Sequence, residues 1–267
     1  MIIRSTANHH VKKIRDQLKI GWPDPQGRVL VEGPKLIEEA VKSRLKIDSL
    51  YISETRKESS FLKDLLKSSK SKGVETLEFS EGVFDQISST ETPQGISALV
   101  YMPKWNLESI IENPAFIVVG DRLQDPGNLG TLLRSAEAFG TDAVILTRNS
   151  VSPYNLKALR ASAGSVFRVP VFAGLNPREI SSLLVKRGFR LYATSPGAGT
   201  DYRQIDFRGR LALIVGNEGQ GLEDDFFKRV DDQLTIPLSP TVESLNVAVA
   251  VSIILSQAAS QRRMSPQ

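Results

Sequence analysis

Short apolar runs alternate with helix-like stretches through the second half of the chain. Continuous apolar strands separated by helices are typical of a parallel sheet covered on both faces. We predict strands at residues 116–119, 143–147, 167–172, 189–194, 211–215 and 233–238, and helices at 128–139, 153–162, 177–186, 223–230 and 242–259. Ligands of such sheets gather beyond the carboxyl ends of the strands, so we expect a site there.

The first half has a different pattern, which predicts a small α/β sandwich. An amphipathic helix at 11–20 ends at the Gly- and Pro-rich stretch 21–27. Strands are predicted at 28–33, 49–53, 74–79 and 96–101, and helices at 34–43 and 61–71. We therefore divide the chain into a first domain at 1–105, a linker at 106–113 and a second domain at 114–267.

The helix predicted at 128–139 has one apolar stripe, formed by Leu129, Leu132, Leu133 and Ala136. At about 100° per residue, Arg134 lies about 140° from Leu129 and therefore points away from the core. Thr131 and Ala138 share its face and leave room for a ligand or a partner. The alternative is an ordinary solvated arginine.

The last predicted helix carries almost only apolar or small residues from Leu245 to Leu255, so we expect it to be covered on all sides. Glu243, Ser244 and Asn246 fall in its predicted first turn, where free backbone N–H groups can bind a ligand. A capped core helix is the alternative. Residues 216–221 place glycines around Glu218 after a predicted strand, which lets the backbone approach a ligand closely.

Composition and charge limit the function classes. The chain has no cysteine and two histidines, His9 and His10, so we expect no catalytic metal site. No segment has the length or composition of a signal peptide or a membrane span, which favours a cytoplasmic protein. Residues 1–28 hold six basic and two acidic residues, a surplus equal to the net charge of +4 of the whole chain. Such an arm suits a phosphate backbone, although it can also serve solubility alone.

Three segments carry a resemblance to a known family. Their matching residues are Asn128, Gly130 and Arg134; Gly216, Asn217, Glu218 and Gly219; and Ile236, Pro237, Ser244, Leu245, Asn246 and Val247. In this order they resemble the signature motifs of the SpoU (TrmH) family of RNA 2′-O-ribose methyltransferases. Residues 28–101 are similar to an RNA-binding domain that often precedes the motifs. At Ser239, Pro240 and Thr241 the chain departs from the glycine of many relatives.

The resemblance implies a second domain with a deep trefoil knot of the SPOUT type, an S-adenosylmethionine cofactor, and a homodimer that methylates structured RNA, ribosomal or transfer RNA. The implied cofactor residues are Thr194, Gly216, Ile236, Leu238, Ser244, Leu245 and Asn246. The implied catalytic residues are Arg134, Asn128 and Glu218. The implied RNA-binding residues are Arg28, Glu32, Gly33, Lys35 and Arg134, with 92–95 as a second loop.

Two other functions stay open at this point. One is a non-catalytic RNA-binding or ribosome-assembly factor that keeps the fold. The other is an enzyme that binds a different adenine nucleotide. Neither a Gly-x-Gly-x-x-Gly loop after a strand nor a phosphate-binding P-loop occurs in the sequence, which speaks against the second.

Overall fold

The computed structural model describes residues 2–56, 59–90, 92–113, 115–197, 199–217 and 221–263. The strands in these ranges are β1 (Ile2–Ile3), β2 (Arg28–Glu32), β3 (Ile47–Ser53), β4 (Glu75–Phe79), β5 (Ile96–Tyr101), β6 (Phe116–Gly120), β7 (Ala143–Thr147), β8 (Val171–Leu175), β9 (Arg190–Thr194), β10 (Thr200–Asp201), β11 (Leu211–Val215) and β12 (Asp232–Thr235). The helices are α1 (His9–Ile20), α2 (Pro34–Lys42), α3 (Ser60–Ser71), α4 (Glu81–Asp85), α5 (Leu107–Ile111), α6 (Pro126–Phe139), α7 (Leu156–Ser162), α8 (Pro177–Lys186), α9 (Asp224–Phe227) and α10 (Val247–Arg263).

The chain forms two compact units. The first comprises the residues up to Lys104 together with Tyr154–Phe167, and the second comprises Trp105–Pro153 and the residues from Arg168 onward. The first unit contains a mixed five-stranded sheet in the order β1-β4-β3-β5-β2. Strands β1, β4 and β3 run parallel, whereas β5 is antiparallel to both β3 and β2. The predicted small α/β fold is confirmed in type.

Local sequence signals explain the ends of the first helix. The side chain of Asn8 accepts a hydrogen bond from the backbone N–H of His10, which caps the start of α1. Gly21 ends the helix in the left-handed conformation at φ 60°. Val11 and Ile14 face the sheet and join the core of the first unit. This amphipathic helix therefore carries its basic residues on the solvent side.

Residues 154–167 lie in a different unit from the one predicted for them. The sequence division put them in the second domain, but α7 packs against β2 and belongs to the first unit. The Arg160 guanidinium donates to the Ser89 hydroxyl at 3.0 Å. The rings of Trp22 and Tyr154 meet edge to face at 6.4 Å. A helical pattern shows which face is apolar but not which sheet it covers, so the sequence could not make this assignment.

The second unit contains a seven-stranded sheet in the order β10-β12-β9-β11-β6-β7-β8. All its neighbouring strands run parallel, which confirms the predicted sheet type. Val215 at the end of β11 pairs with Gly120 at the end of β6. The carboxyl ends of these strands therefore lie side by side at one edge of the sheet.

Several boundaries in the second unit differ from the prediction, and three of the differences bear on the fold. The stretch predicted as a strand at 167–172 contains the end of a 3₁₀ turn, Ser165–Phe167, and β8 begins only at Val171. The predicted linker contains α5, whose Leu107 and Ile111 are part of the hydrophobic core. The last helix starts at Val247 rather than at residue 242.

The prediction that the last helix is covered on all sides is wrong for the single chain. Val249 in α10 is 45% exposed, whereas Val251, Ile254 and Leu255 are buried against the unit. The far end of α10 is tied to the segment before β11: the Gln261 amide accepts from the Phe207 N–H at 2.8 Å and donates to the Ile205 carbonyl at 2.9 Å. The trefoil knot stays a prediction. In the described part of the chain, no helix has the length and apolarity needed to cross a membrane.

Candidate active site

A cavity of about 170 Å³ lies at the carboxyl end of the parallel sheet. Its walls come from the segments after β9, β11 and β12 and from the first turns of α10. Six of the predicted cofactor residues line it: Thr194, Gly216, Ile236, Leu238, Ser244 and Leu245. Three segments far apart in sequence thus converge on one space. Its walls combine aliphatic side chains with hydroxyl groups and exposed backbone, a composition suited to a small amphipathic ligand.

Asn246, the seventh predicted cofactor residue, is not among the residues that line this cavity. Its side-chain amide donates a hydrogen bond of 2.8 Å to Oδ1 of Asn128. Its own Oδ1 accepts from the backbone N–H of Ala248 at 3.0 Å. Because α10 begins one residue later, Asn246 caps this helix and at the same time connects it to the first turn of α6. The direct cofactor contact of Asn246 stays a prediction, and its side chain is already engaged in these two hydrogen bonds.

Gly216 brings two backbone segments into close approach beside the cavity. A Cβ atom at this position would lie 2.6 Å from the carbonyl oxygen of Gly221, a distance that side chains do not tolerate. The loop entrance is closed by two backbone hydrogen bonds between Asn217 and Gly221, at 3.2 and 3.0 Å. Glu218, a predicted catalytic residue, lies outside the described residues. Only glycine fits at position 216, because the backbone of Gly221 occupies the space of a side chain, and the predicted approach to a ligand stays a prediction.

Arg134 lies where the helical periodicity placed it, on the solvent side of α6. Leu129, Leu132 and Leu133 are buried, whereas Arg134 and Thr131 are exposed. Asp125 starts this helix by accepting a hydrogen bond from the backbone N–H of Asn128 at 2.8 Å. Within the described part of the chain, Arg134 makes neither a hydrogen bond nor an ion pair. Its five donors are therefore available to a ligand.

A shallow groove runs between α6 and α10 on the same surface. It is lined by Thr131, Tyr202, Val249, Ser252, Ile253, Ser256 and Gln257. The hydroxyls of Ser135 and Ser252 lie 2.6 Å apart where the two helices cross. Small polar residues together with the exposed Val249 and the half-buried Ile253 form a surface that another helix can cover. This groove was not predicted, because the exposed face of α10 carries no continuous polar stripe.

In the first unit, two of the predicted RNA-binding side chains already have partners. The guanidinium of Arg28 contacts Asp24 at 2.7 Å and Asp48 at 2.9 Å, and its side chain is only 12% exposed. These hydrogen bonds raise the pKa of Arg28, Asp24 contributing most. Glu32 is buried and accepts hydrogen bonds from the Ser89 hydroxyl at 2.7 Å and the Thr90 hydroxyl at 3.2 Å. In this structure Arg28 and Glu32 therefore hold neighbouring segments in place, and their direct contact with RNA stays a prediction.

Gly33 and Lys35 keep an arrangement compatible with RNA contact. Lys35 is exposed in the first turn of α2. Gly33 has a φ of 93°, and its N–H donates to the Ile96 carbonyl at 3.0 Å. A Cβ at Gly33 would lie 3.1 Å from the side-chain oxygen of Gln94. The two predicted loops, 33–35 and 92–95, therefore meet at one edge of the first sheet.

Comparison with known proteins places these features among methyltransferases. Residues 115–256 match the model of the SpoU rRNA Methylase family, and residues 8–98 match the MRM3-like substrate binding domain. The 23S rRNA (guanosine(2553)-2′-O)-methyltransferase RlmP of Bacillus subtilis is 35% identical over 248 residues, covering 91% of this chain and 94% of that protein. The 23S rRNA (guanosine-2′-O-)-methyltransferase RlmB of Ralstonia nicotianae is 31% identical over 237 residues, 85% of this chain and 95% of that protein.

A solved structure of a methyltransferase also resembles this chain over its whole length. The crystal structure of an AdoMet-bound rRNA methyltransferase from Sinorhizobium meliloti superimposes with a TM-score of 0.84 at 28% identity, covering 100% of this chain and 99% of that chain. The match extends over both units, so the smaller first unit is part of the resemblance as well.

Proposed function

Because the chain belongs to the SpoU rRNA methylase family, we propose that it methylates a ribose 2′-hydroxyl of ribosomal RNA. Two of its relatives are named as 23S rRNA guanosine 2′-O-methyltransferases, and one similar solved structure is that of an AdoMet-bound rRNA methyltransferase. We further propose that S-adenosylmethionine binds in the cavity beyond β9, β11 and β12. The observation that carries this proposal is the convergence of Thr194, Gly216 and Leu245, from three separate segments, on one cavity. The cytoplasm is the proposed site of action.

The residues present fit the cofactor. The aliphatic side chains of Leu222, Ile236 and Leu238 suit the flat adenine ring, and the hydroxyls of Thr194 and Ser244 suit polar groups of the ligand. The close backbone approach at Gly216 keeps this wall of the cavity free of a side chain at that position. When bound, S-adenosylmethionine supplies a methyl group on a sulfonium, which is already a strong electrophile.

The protein then has to orient the ribose hydroxyl and assist loss of its proton. Arg134 cannot accept that proton, since a guanidinium stays protonated and has only donors. We assign it the role of holding the neighbouring phosphate and stabilising negative charge that develops on the ribose oxygen. We propose that Glu218 or water accepts this proton, with the side-chain oxygen of Asn128 as a further acceptor group beside the hydroxyl. The contact from Asn246 supports a fixed orientation of the Asn128 side chain.

A homodimer is also part of the proposal. The groove between α6 and α10 exposes Val249 beside Thr131, on the face that also presents Arg134. A second copy covering this groove would bury the exposed valine and would bring Arg134 of one protomer towards the other. In the first unit, we propose that RNA contacts the edge where loops 33–35 and 92–95 meet, with Lys35 as its exposed cation.

Two experiments test the activity. Calorimetric titration of the purified protein with S-adenosylmethionine should give one site per chain, whereas no binding would favour a non-catalytic RNA-binding factor. Mapping ribose methylation in ribosomal RNA from cells that lack the protein should reveal one or a few unmethylated riboses, restored by the unmodified gene. Unchanged methylation in such cells would contradict the proposed substrate.

A further inference from the structure

A buried carboxylate just outside the cavity holds one of the cavity walls. Asp121 follows β6, and its side chain is 0% exposed. Its Oδ1 accepts a hydrogen bond from the Thr147 hydroxyl at 2.8 Å, and its Oδ2 accepts one from the backbone N–H of Glu223 at 2.9 Å. Glu223 directly follows Gly221 and Leu222, which line the cavity. The carboxylate therefore ties the exit of the glycine-rich loop to the end of β6.

The next residue, Arg122, contacts both ends of the same loop. Its Nη2 donates to the carbonyl of Gly221 at 3.1 Å, and its own carbonyl accepts from the side-chain amide of Asn217 at 3.1 Å. Its N–H donates to the Thr147 hydroxyl at 3.0 Å, so this hydroxyl serves Asp121 and Arg122 together. One dipeptide thus fixes the entrance and the exit of the loop that forms a cavity wall.

The backbone at Arg122 is strained. Its φ is 53°, in the left-handed region that glycine adopts without cost and other residues avoid. A strained residue persists where the surrounding contacts determine its conformation, and such residues cluster at functional sites. If the backbone conformation were the only requirement, a glycine would meet it without strain. An arginine at this position is instead explained by the contacts of its guanidinium with the Gly221 carbonyl at 3.1 Å and with the Glu223 carboxylate at 3.7 Å.

We propose that Asp121 and Arg122 are positioning residues that hold the loop ends, 216–217 and 221–223, in the conformation that binds S-adenosylmethionine. This inference rests on the proposed function. Neither side chain is among those lining the cavity, so both act through the loop. Changes at Arg122 should therefore weaken cofactor binding and raise the KM for S-adenosylmethionine, while the KM for RNA and the kcat at saturating cofactor stay near their original values.

The test is calorimetric titration of the full chain with S-adenosylmethionine, comparing Arg122→Gly with Arg44→Gly. Arg44 is an exposed arginine in the first unit with a similar left-handed φ of 58°, so both substitutions relieve the same backbone strain. Arg122→Gly should raise the Kd for S-adenosylmethionine about tenfold, the loss expected for a hydrogen bond from a charged donor, and Arg44→Gly should leave it unchanged. Equal Kd values for Arg122→Gly and the unmodified protein would overturn the inference. Absence of binding by the unmodified protein would instead refute the proposed function.

A second pair decides the question if Arg122→Gly does not fold. Thr147 is buried and does not line the cavity. Thr147→Ser keeps the hydroxyl that contacts both positioning residues, whereas Thr147→Val removes it with little change in volume. The serine variant should bind S-adenosylmethionine like the unmodified protein and the valine variant about tenfold more weakly. Equal affinities in the two variants would overturn the inference.

Discussion

The side-chain amide of Asn246 donates a 2.8 Å hydrogen bond to Oδ1 of Asn128, which lies 118 residues earlier in the chain. This contact joins the start of α10 to the first turn of α6. The same Asn246 side chain accepts from the N–H of Ala248 and so caps α10. One residue therefore serves both helix stability and the orientation of a proposed active-site group, and substitutions can separate these two roles.

Asn246→Asp should keep the cap and lose the donor. A carboxylate accepts from helix N–H groups and is favourable near a helix N-terminus, so thermal stability should stay close to that of the unmodified protein. Methyl transfer should fall about tenfold, because the Asn128 oxygen loses its partner. Asn246→Ala should lose both functions and about 1 kcal/mol of stability. Equal rates for the unmodified protein and Asn246→Asp would show that this contact has no role in catalysis.

The groove between α6 and α10 predicts a dimer that depends on Val249. The unmodified protein should sediment as a dimer at micromolar concentration, and Val249→Glu should sediment as a monomer, because a charge would be buried without a partner. Val185→Glu is the matched control, since Val185 in α8 is 48% exposed and Val249 is 45% exposed. A monomeric unmodified protein, or equal dissociation of both variants, would contradict this assignment.

Lys35 should contribute to RNA affinity through a phosphate contact. Lys35→Ala should weaken binding of a ribosomal RNA fragment several-fold and reduce the slope of log K against log salt by about 1. Lys67→Ala, which removes an exposed lysine from α3 in the same unit, is the control and should have little effect. Fluorescence anisotropy at several salt concentrations measures both quantities. Identical salt slopes for the two variants would remove Lys35 from the RNA surface.

The contact between Asp24 and Arg28 predicts a pH-dependent contribution to stability. Burial alone would raise the pKa of Asp24, but hydrogen bonds from Arg28 outweigh it and lower the pKa below the ordinary value of 3.8. A carboxyl group whose pKa is lower in the folded state stabilises the protein above its unfolded pKa, and this stabilisation is lost as the pH falls through the folded pKa.

Asp24→Asn should therefore lower the free energy of unfolding at pH 7 by about 2 kcal/mol. The difference from the unmodified protein should narrow as the pH drops below about 4. Urea unfolding at a series of pH values measures this difference in the free energy of unfolding. A difference that is constant with pH would mean that the charge of Asp24 is not responsible.

Much of this architecture could be predicted, because the apolar and polar pattern of each segment agrees with the burial of its residues in the structure. The strand at Leu211–Val215 and the helix at Pro177–Lys186 have the predicted bounds. The cavity residues were found through resemblance, since Thr194 and Leu238 have no chemical signature of their own. The role of Asp121 was missed, because a single carboxylate after a strand does not show that its partner, Glu223, lies in another loop.

Other errors came from interactions between distant parts of the chain. The ion pair between Arg28 and Asp48 could not be predicted, because the sequence does not show that the two side chains meet. Helix α7 has an apolar face, but only the fold shows that β2 receives it. The exposure of Val249 could not be deduced from the sequence. An apolar residue in an apolar helix predicts burial, but it does not show whether the same chain or another chain covers it.

Arg134 carries the sharpest prediction about mechanism. Arg134→Ala removes no core packing, so stability should change by less than about 0.5 kcal/mol. The Kd for S-adenosylmethionine should stay the same, since Arg134 is not among the cavity residues. Methyl transfer should fall about 100-fold with the loss of charge stabilisation. Arg134→Lys should restore little, because a single ammonium cannot reproduce an oriented bidentate contact.

The most direct test is a methyl-transfer assay with labelled S-adenosylmethionine and a ribosomal RNA transcript, followed by digestion to nucleosides. The unmodified protein should place the label on a ribose 2′-oxygen, and Arg134→Ala should do so about 100-fold more slowly. Label on a base, no label in any ribosomal RNA fragment, or an equal rate with Arg134→Ala would contradict the account.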